Sequence, residues 1–270
     1  MLIRPRSLLD QITLQHGPHD LLGRYLILAD RAARQMGVRL RLRSDFERLH
    51  EIKLKHFENT PMMSPIFDPA QSNLRIDSSF WVEGVNDAGD TISTHAARLF
   101  DWPRTTLESE ARALRVHYED PAPHLAAGES VDITAPSASR IRGRTTFAGA
   151  MWVRADYRRQ GLTRIIPRIS RVYAYTRWNT AFTWGFMEPR LHAGGASVAY
   201  GRYTVEDGLT VRLDFRSPFR AMLLWMAEDT MLGEIEAFID QPTSDLSRSI
   251  EMPSTSESSR PRRQGSRIRS

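Results

Sequence analysis

The stretch from Thr146 to Met187 limits the fold more than any other part of the chain. Thr146 to Arg154 has strand-forming character, a tight polar turn follows, and Gly161 to Arg177 has helical spacing. Ala181 to Met187 is then a second strand, rich in aromatic and β-branched residues. Upstream, Phe80 to Val85 and Thr91 to Phe100 flank Asn86-Asp87-Ala88-Gly89-Asp90, a strong hairpin signal. Strand pairs followed by strand–helix–strand units predict an α/β or α+β domain around a mixed sheet.

The remaining elements fit around that unit. His19 to Met36 is predicted as a helix, with Leu22, Leu26, Ala29 and Ala33 on one face and Gly37 as the stop. Val38 to Arg43 alternates apolar and arginine residues, as a strand with one buried face does. Its arginines read either as a phosphate-binding stripe or as a solvated strand face. Ser44 with Glu47, and Thr105 with Glu108, have the spacing of capping boxes. The first would open a helix to Glu58 with Phe46, Leu49, Lys53 and Phe57 along one side. The second would carry Leu107, Ala111, Leu114 and Tyr118 as an apolar stripe. Asn59 to Ser72 reads as loop, and Pro121 to Arg144 as mostly irregular with a short strand at Val131 to Ile133.

After the second strand, a short helix is predicted from Leu191 to Tyr200. Tyr203 to Val205 and Thr210 to Phe215 read as a hairpin or neighbouring strands around Glu206-Asp207-Gly208. Ala221 to Met226 is a last strand and Glu228 to Ile239 a last helix. The predicted organisation is a helical N-terminal extension over 1–37, a domain over 38–240 and a disordered basic tail over 241–270.

Composition removes several chemistries. The chain has no cysteine, which excludes disulfides, thiolate metal sites and a cysteine nucleophile. No apolar run approaches the roughly 20 residues that cross a bilayer, and Met1 to Asp10 lacks a cleavable-leader pattern. A cytoplasmic address with no membrane partner is the expectation. The net charge of +5 raises nucleic-acid binding. Yet the tail alone carries six arginines against three acids, and only Lys53 and Lys55 are lysines. Net charge speaks to non-specific association, not to fold, so no specific nucleic acid is expected. The eight histidines, among them His50, His56, His95, His117 and His192, show no His-x-x-x-His or His-x-His pair. They read as surface or packing residues, and no metal is expected. Gly194-Gly195-Ala196-Ser197 matches neither a nucleophile elbow nor a P-loop.

The turn between Val153 and Arg164 is the candidate site. Backbone N–H groups at a helix start are unpaired, and the helix dipole favours anions there. Gly161 permits positive φ and close approach, while Arg158, Arg159 and Arg164 bring guanidinium groups suited to phosphate. Taken from these residues alone, a structural capping turn is the competing reading.

Val153, Tyr157, Arg158, Gly161 and Leu162 fit a known pattern. The run resembles motif A of the GNAT superfamily of N-acetyltransferases, in which a strand ending Val-x-x-x-Tyr-Arg leads into an Arg/Gln-x-x-Gly-x-Gly/Ala loop. Thr163 stands where the family prefers Gly or Ala, and Pro167 lies inside the helix, where it removes a backbone hydrogen bond. The order of elements fits over about two-thirds of the chain, but the loop is its only specific motif.

The resemblance implies a central mixed β-sheet flanked by helices and an N-acyltransferase using acetyl-CoA or another acyl-CoA as co-substrate. It implies a pyrophosphate held by Arg158, Arg159, Gln160, Gly161, Leu162, Thr163 and Arg164, and pantetheine along the strand at Trp152 and Val153. The thioester would lie where that strand and Ala181 to Met187 splay, with N–H groups near Val153 on the oxyanion. The acceptor is a small-molecule or protein amine. Acceptor choice would live in Asn59 to Ser72 and Pro121 to Arg144. Glu188 is the candidate base, against a solvated loop acid. Tyr200 is the candidate acid, with Tyr203 as its rival and core packing as the plain reading of both. A catalytically silent domain that senses acyl-CoA or docks a partner is the alternative, and homodimer formation stays open.

Overall fold

The computed structural model of the protein describes residues 7–56, 64–214 and 216–240. Eight strands form one mixed sheet: β1 (Arg39–Arg43), β2 (Ser79–Val85), β3 (Thr91–Trp102), β4 (Ser130–Ile133), β5 (Gly143–Val153), β6 (Phe182–Met187), β7 (Thr204–Arg212) and β8 (Phe219–Ala227). Their spatial order is β1-β2-β3-β5-β6-β8-β7-β4. Every neighbouring pair is antiparallel except β5 with β6. A parallel pair needs a crossover, and helix α5 (Leu162–Trp178) supplies it.

Helices cover both faces. On one face α1 (His19–Gln35) and α8 (Glu228–Ile239) pack with α5, burying Leu22, Leu26, Ala29 and Ala33 as the spacing predicts. On the other, α2 (Phe46–His56) and a 3₁₀ turn at Pro65–Phe67 bury Phe46, Leu49 and Phe67 against Trp81, Phe147 and Trp152. The hairpin forms as expected: the Asn86 side chain accepts from the Asp90 N–H at 2.8 Å, and Gly89 takes φ +88°. Two of the β1 arginines are taken up in ion pairs on a partly buried face. Arg39 meets Asp87 at 2.9 Å, and Arg43 meets Asp45 at 2.7 Å.

Several local expectations are corrected. Helix α2 starts at Phe46, one residue later than the Ser44–Glu47 box requires, and the Asp45 carboxylate is taken by Arg43. Helix α3 (Leu107–Arg112) is capped by Thr106, which accepts from the Ser109 N–H, while Glu108 pairs with Arg112. It ends early because Leu114 turns left-handed at φ +58°, although the predicted stripe through Tyr118 is buried. The irregular stretch after it contains α4 (Ala122–Ala126), β4 and a 3₁₀ turn at Pro136–Ser139. The helix expected from Leu191 to Tyr200 is two, α6 (Pro189–Ala193) and α7 (Ala196–Tyr200), broken where Gly195 takes φ +82°.

Glu206-Asp207-Gly208 is no turn. It is a bulge inside β7, where the register against β8 shifts. Gly208 takes φ +110°, and a Cβ there would meet Thr134 Oγ1 at 2.5 Å as β4 closes on the strand. The expectations for Phe57, Glu58, 59–63, Phe215 and the tail 241–270 lie outside the described residues.

Candidate functional site

Among the described residues the sheet has one parallel pair, and it is short. β5 and β6 are in register at Thr145↔Phe182, Thr146↔Thr183 and Phe147↔Trp184. Beyond that, β5 continues against β3 to Val153 and β6 continues against β8 to Met187. The edge of β5 after Phe147 therefore faces a widening gap.

Within that edge the backbone is irregular. Ala150 takes φ +53°, and the register against β3 shifts between Thr94 and Ala96. A bulge leaves a residue out of the ladder and re-aims the strand. The Thr94 hydroxyl ties down the Ala150 carbonyl at 2.9 Å. The disturbed backbone thus lies three residues before Val153, the position around which the oxyanion donors were expected.

At the end of β5 the chain turns toward α5. A 3₁₀ turn at Ala155–Tyr157 is followed by extended Arg158, left-handed Arg159 at φ +63° and left-handed Gly161 at φ +92°, the N-cap of α5. Among the described residues, the N–H groups of residues 159–163 have no hydrogen-bond partner, whereas the Arg164 N–H returns to the Gly161 carbonyl. Alternating left-handed residues before a helix gather amides into an anion-binding concavity.

The side chains shape the turn. Arg158 Nε donates to the Val153 carbonyl at 3.0 Å and Gln160 Nε2 to the Asp156 carbonyl at 2.9 Å. Arg158, Arg159 and Gln160 are exposed, Thr163 and Arg164 partly buried, and Leu162 is anchored in the α5 core. Trp152 and Val153 point to opposite faces. Val153 joins the α5 core, and the Trp152 ring stacks on His56 at 4.7 Å on the α2 side.

Two cavities of about 230 Å³ each flank the gap and share Lys53, Gly149, Ala150, Phe186, Met187 and Leu191 in their walls. The α5-side cavity adds His95, Pro167, Tyr200 and Tyr203. The α2-side cavity adds Phe67, His117, Glu188 and Arg216. Tyr200 and Glu188, both sequence candidates, therefore stand on different sides of the gap.

Burial first, and then Tyr203, push the Tyr200 phenol up to about 12, so it stays protonated at neutral pH. Glu188 is the residue before α6, and each of its oxygens accepts from a guanidinium. Arg216 lies at 3.0 Å and Arg190 at 2.8 Å.

The position of Tyr200 is set from behind. Arg168 donates to the Ala199 carbonyl at 2.8 Å and Arg171 to the Tyr200 carbonyl at 3.3 Å, both from α5. Glu234 of α8 neutralises both arginines, at 2.8 and 2.6 Å. Arg171 also lies over the Tyr203 ring at 5.1 Å.

Three wall residues escaped the sequence reading. His95 and His117, read as surface or packing, are buried in the α5-side and α2-side walls, and the Nδ1 of each has no hydrogen-bond partner among the described residues. Burial drives both down to about 3, with Arg171 and Arg98 as lesser causes, so both are neutral. Lys53 borders both cavities, and burial lowers it to about 8. One signal was available for it: a lysine on the apolar stripe of a helix, in a chain that otherwise uses arginine. Nothing local marks the histidines, whose burial comes from distant strands.

Among the described residues, no group of three or more His, Asp or Glu side chains is placed to hold a metal. No helix there is long and apolar enough to cross a membrane.

No protein-family model matches the sequence, and no curated protein matches it. Among solved structures, the chain is similar to Arabidopsis thaliana NAA60 in complex with acetyl-CoA, at 14% identity and TM-score 0.41, over 71% of this chain and 99% of that one. It is similar to the ribosomal-protein-S5-alanine acetyltransferase from Vibrio fischeri at 13% identity and TM-score 0.44, over 72% and 94%. A third likeness is to AAC(6')-Ib in complex with Parmomycin and AcetylCoA, at 14% identity and TM-score 0.40, over 72% and 95%. At these identities and TM-scores the likenesses stand beside the geometry without adding to it.

Proposed function

We propose that this protein is an N-acyltransferase that moves an acetyl or other acyl group from acyl-CoA to an amine by direct attack. The observation that carries the reading is the run of amides at residues 159–163 with no hydrogen-bond partner among the described residues, set at the N-terminus of a 17-residue helix beside the strand edge that parts from β6. Amides and helix dipole together suit the CoA diphosphate, with Arg158, Arg159 and Arg164 around it. The edge of β5 that parts from β6 after Phe147 suits an extended pantetheine arm running past Trp152 and Val153 as a further strand. The thioester would then lie in the gap between β5 and β6.

In this reading the amine nitrogen attacks the thioester carbonyl carbon, and the carbon–sulfur bond breaks. Counted from the ammonium, the nitrogen gives up two protons, one to the base before attack and one as the amide forms, while the leaving thiolate takes up one. Backbone N–H groups near Val153, past the Ala150 bulge, would steady the oxyanion. Tyr200, a buried phenol that keeps its proton, is the acid for the leaving sulfur. Glu188 is the base, directly or through water.

The state of Glu188 favours a second reading. Both of its oxygens already accept from Arg190 and Arg216, so an amine would have to displace a guanidinium to reach it. A catalytically silent domain that binds acyl-CoA would need no base. Two measurements separate the readings. Acetyl-CoA should raise the melting temperature of the wild type and leave Gly161→Asp unmoved, since a carboxylate there repels the diphosphate. Thiol release over an amine panel then distinguishes the enzyme from the silent binder. Absence of any acetyl-CoA shift in the wild type rejects both.

A further inference from the structure

We infer that the α2-side cavity admits an amine with an apolar body and a single positive charge, and that Arg216 sets this preference by occupying Glu188. The inference rests on the acyl-transfer reading, because it takes the shared gap as the place where acceptor and thioester meet. Most of the wall is apolar, with Phe67, Phe147, Phe186 and Leu213 among its residues. Its volume of about 230 Å³ is below the roughly 300–1,000 Å³ of drug-sized sites, so the body it encloses is small.

The charges in that wall are unfavourable to a polycation. Among the described lining residues the ionisable groups are Lys53, His117, Glu188 and Arg216. His117 is neutral, which leaves two cations and one carboxylate. That carboxylate accepts from Arg216 Nη1 at 3.0 Å and from Arg190 Nε at 2.8 Å. Arg216 is itself fixed, lying over the Phe219 ring at 3.8 Å. A second ammonium entering here would lose water and meet like charge, and the described wall offers it no second carboxylate. A monoamine avoids this. Its nitrogen can enter the gap while its apolar remainder stays among the rings.

The test uses the full chain and thiol release from acetyl-CoA, with 2-phenylethylamine and spermidine as acceptors. In the wild type, kcat/KM for 2-phenylethylamine should exceed that for spermidine by about tenfold or more, the scale of an uncompensated like-charge contact. In Arg216→Gln, Glu188 loses one cation and that ratio should fall several-fold. A merely structural loss would lower both amines together and leave the ratio unchanged. Equal use of spermidine by the wild type, or an unchanged ratio in Arg216→Gln, overturns the inference. If acetyl-CoA stabilises the protein but neither amine turns over, the inference fails while the acyl-CoA site stands. If acetyl-CoA gives no stabilisation either, the acyl-transfer reading fails and takes the inference with it.

Discussion

Gly185 of β6 lies so close to Ala148 of β5 that a Cβ on it would stand 2.6 Å from the Ala148 carbonyl oxygen. This contact falls one residue past the last registered pair, Phe147↔Trp184, where the strands begin to part. Gly185→Ala must therefore push backbone, not a flexible side chain. It should cost about 1–3 kcal/mol, the usual range for overpacking, measured as a lower urea midpoint. A stability equal to wild type would show that the strands separate more easily than this contact implies.

The buried ion network behind Tyr200 predicts a larger loss. Glu234→Gln leaves Arg168 and Arg171 without their counter-charge, and Arg171 is almost fully buried. Removing one partner of a buried pair costs roughly 3–5 kcal/mol. Chemical denaturation of the variant checks this, and a loss below about 1 kcal/mol would mean that water reaches the arginines.

Lys53 should show the opposite sign. Its folded pKa is about 8 against an ordinary 10.5, so between these values the unfolded chain binds more protons and stability rises with pH. Below pH 8 the penalty is fully present. Lys53→Met should raise stability by about 1–2 kcal/mol at pH 7, a gain that fades as pH climbs from 8 to 10.5. Denaturation midpoints at pH 7 and 10 test it, and a gain equal at both would refute the assignment.

His95 and His117 predict sensitivity to acid. Each has a folded pKa of about 3 against an ordinary 6.5, so the unfolded state takes up protons first as pH falls below 6.5. Stability should drop by on the order of 2–5 kcal/mol between pH 6.5 and 4.5. Replacing both by glutamine should flatten that slope, which a series of urea melts across the window would reveal.

What could be read from the sequence was local. The hairpin at Asn86 to Asp90, the turn into α5 and the bounds of α8 follow from turn residues, glycine and apolar spacing, which act within a few positions. Placement across the sheet was not legible. β8 pairs with β6, and β4 pairs with β7 at the far edge, contacts whose partners are not consecutive in the chain. Glu206-Asp207-Gly208 has turn composition, but the pull of β4 on one side and β8 on the other makes it a bulge. The same distinction divides the site. The loop from Arg158 to Arg164 is one segment and could be recognised. The α2-side wall joins Lys53, His117, Glu188 and Arg216 from four separate stretches of chain, and no spacing rule links them.

The union of Glu234 with Arg168 and Arg171 also has a bearing on how the chain matures during synthesis. Translation produces α5 some sixty residues before α8, so both guanidiniums exist for a time without the carboxylate that neutralises them. Until Glu234 emerges from the ribosome, those cations favour water over the protein interior, and the α7 segment they hold has no fixed seat. A nascent chain halted before Glu228 should therefore lack the support that holds Tyr200.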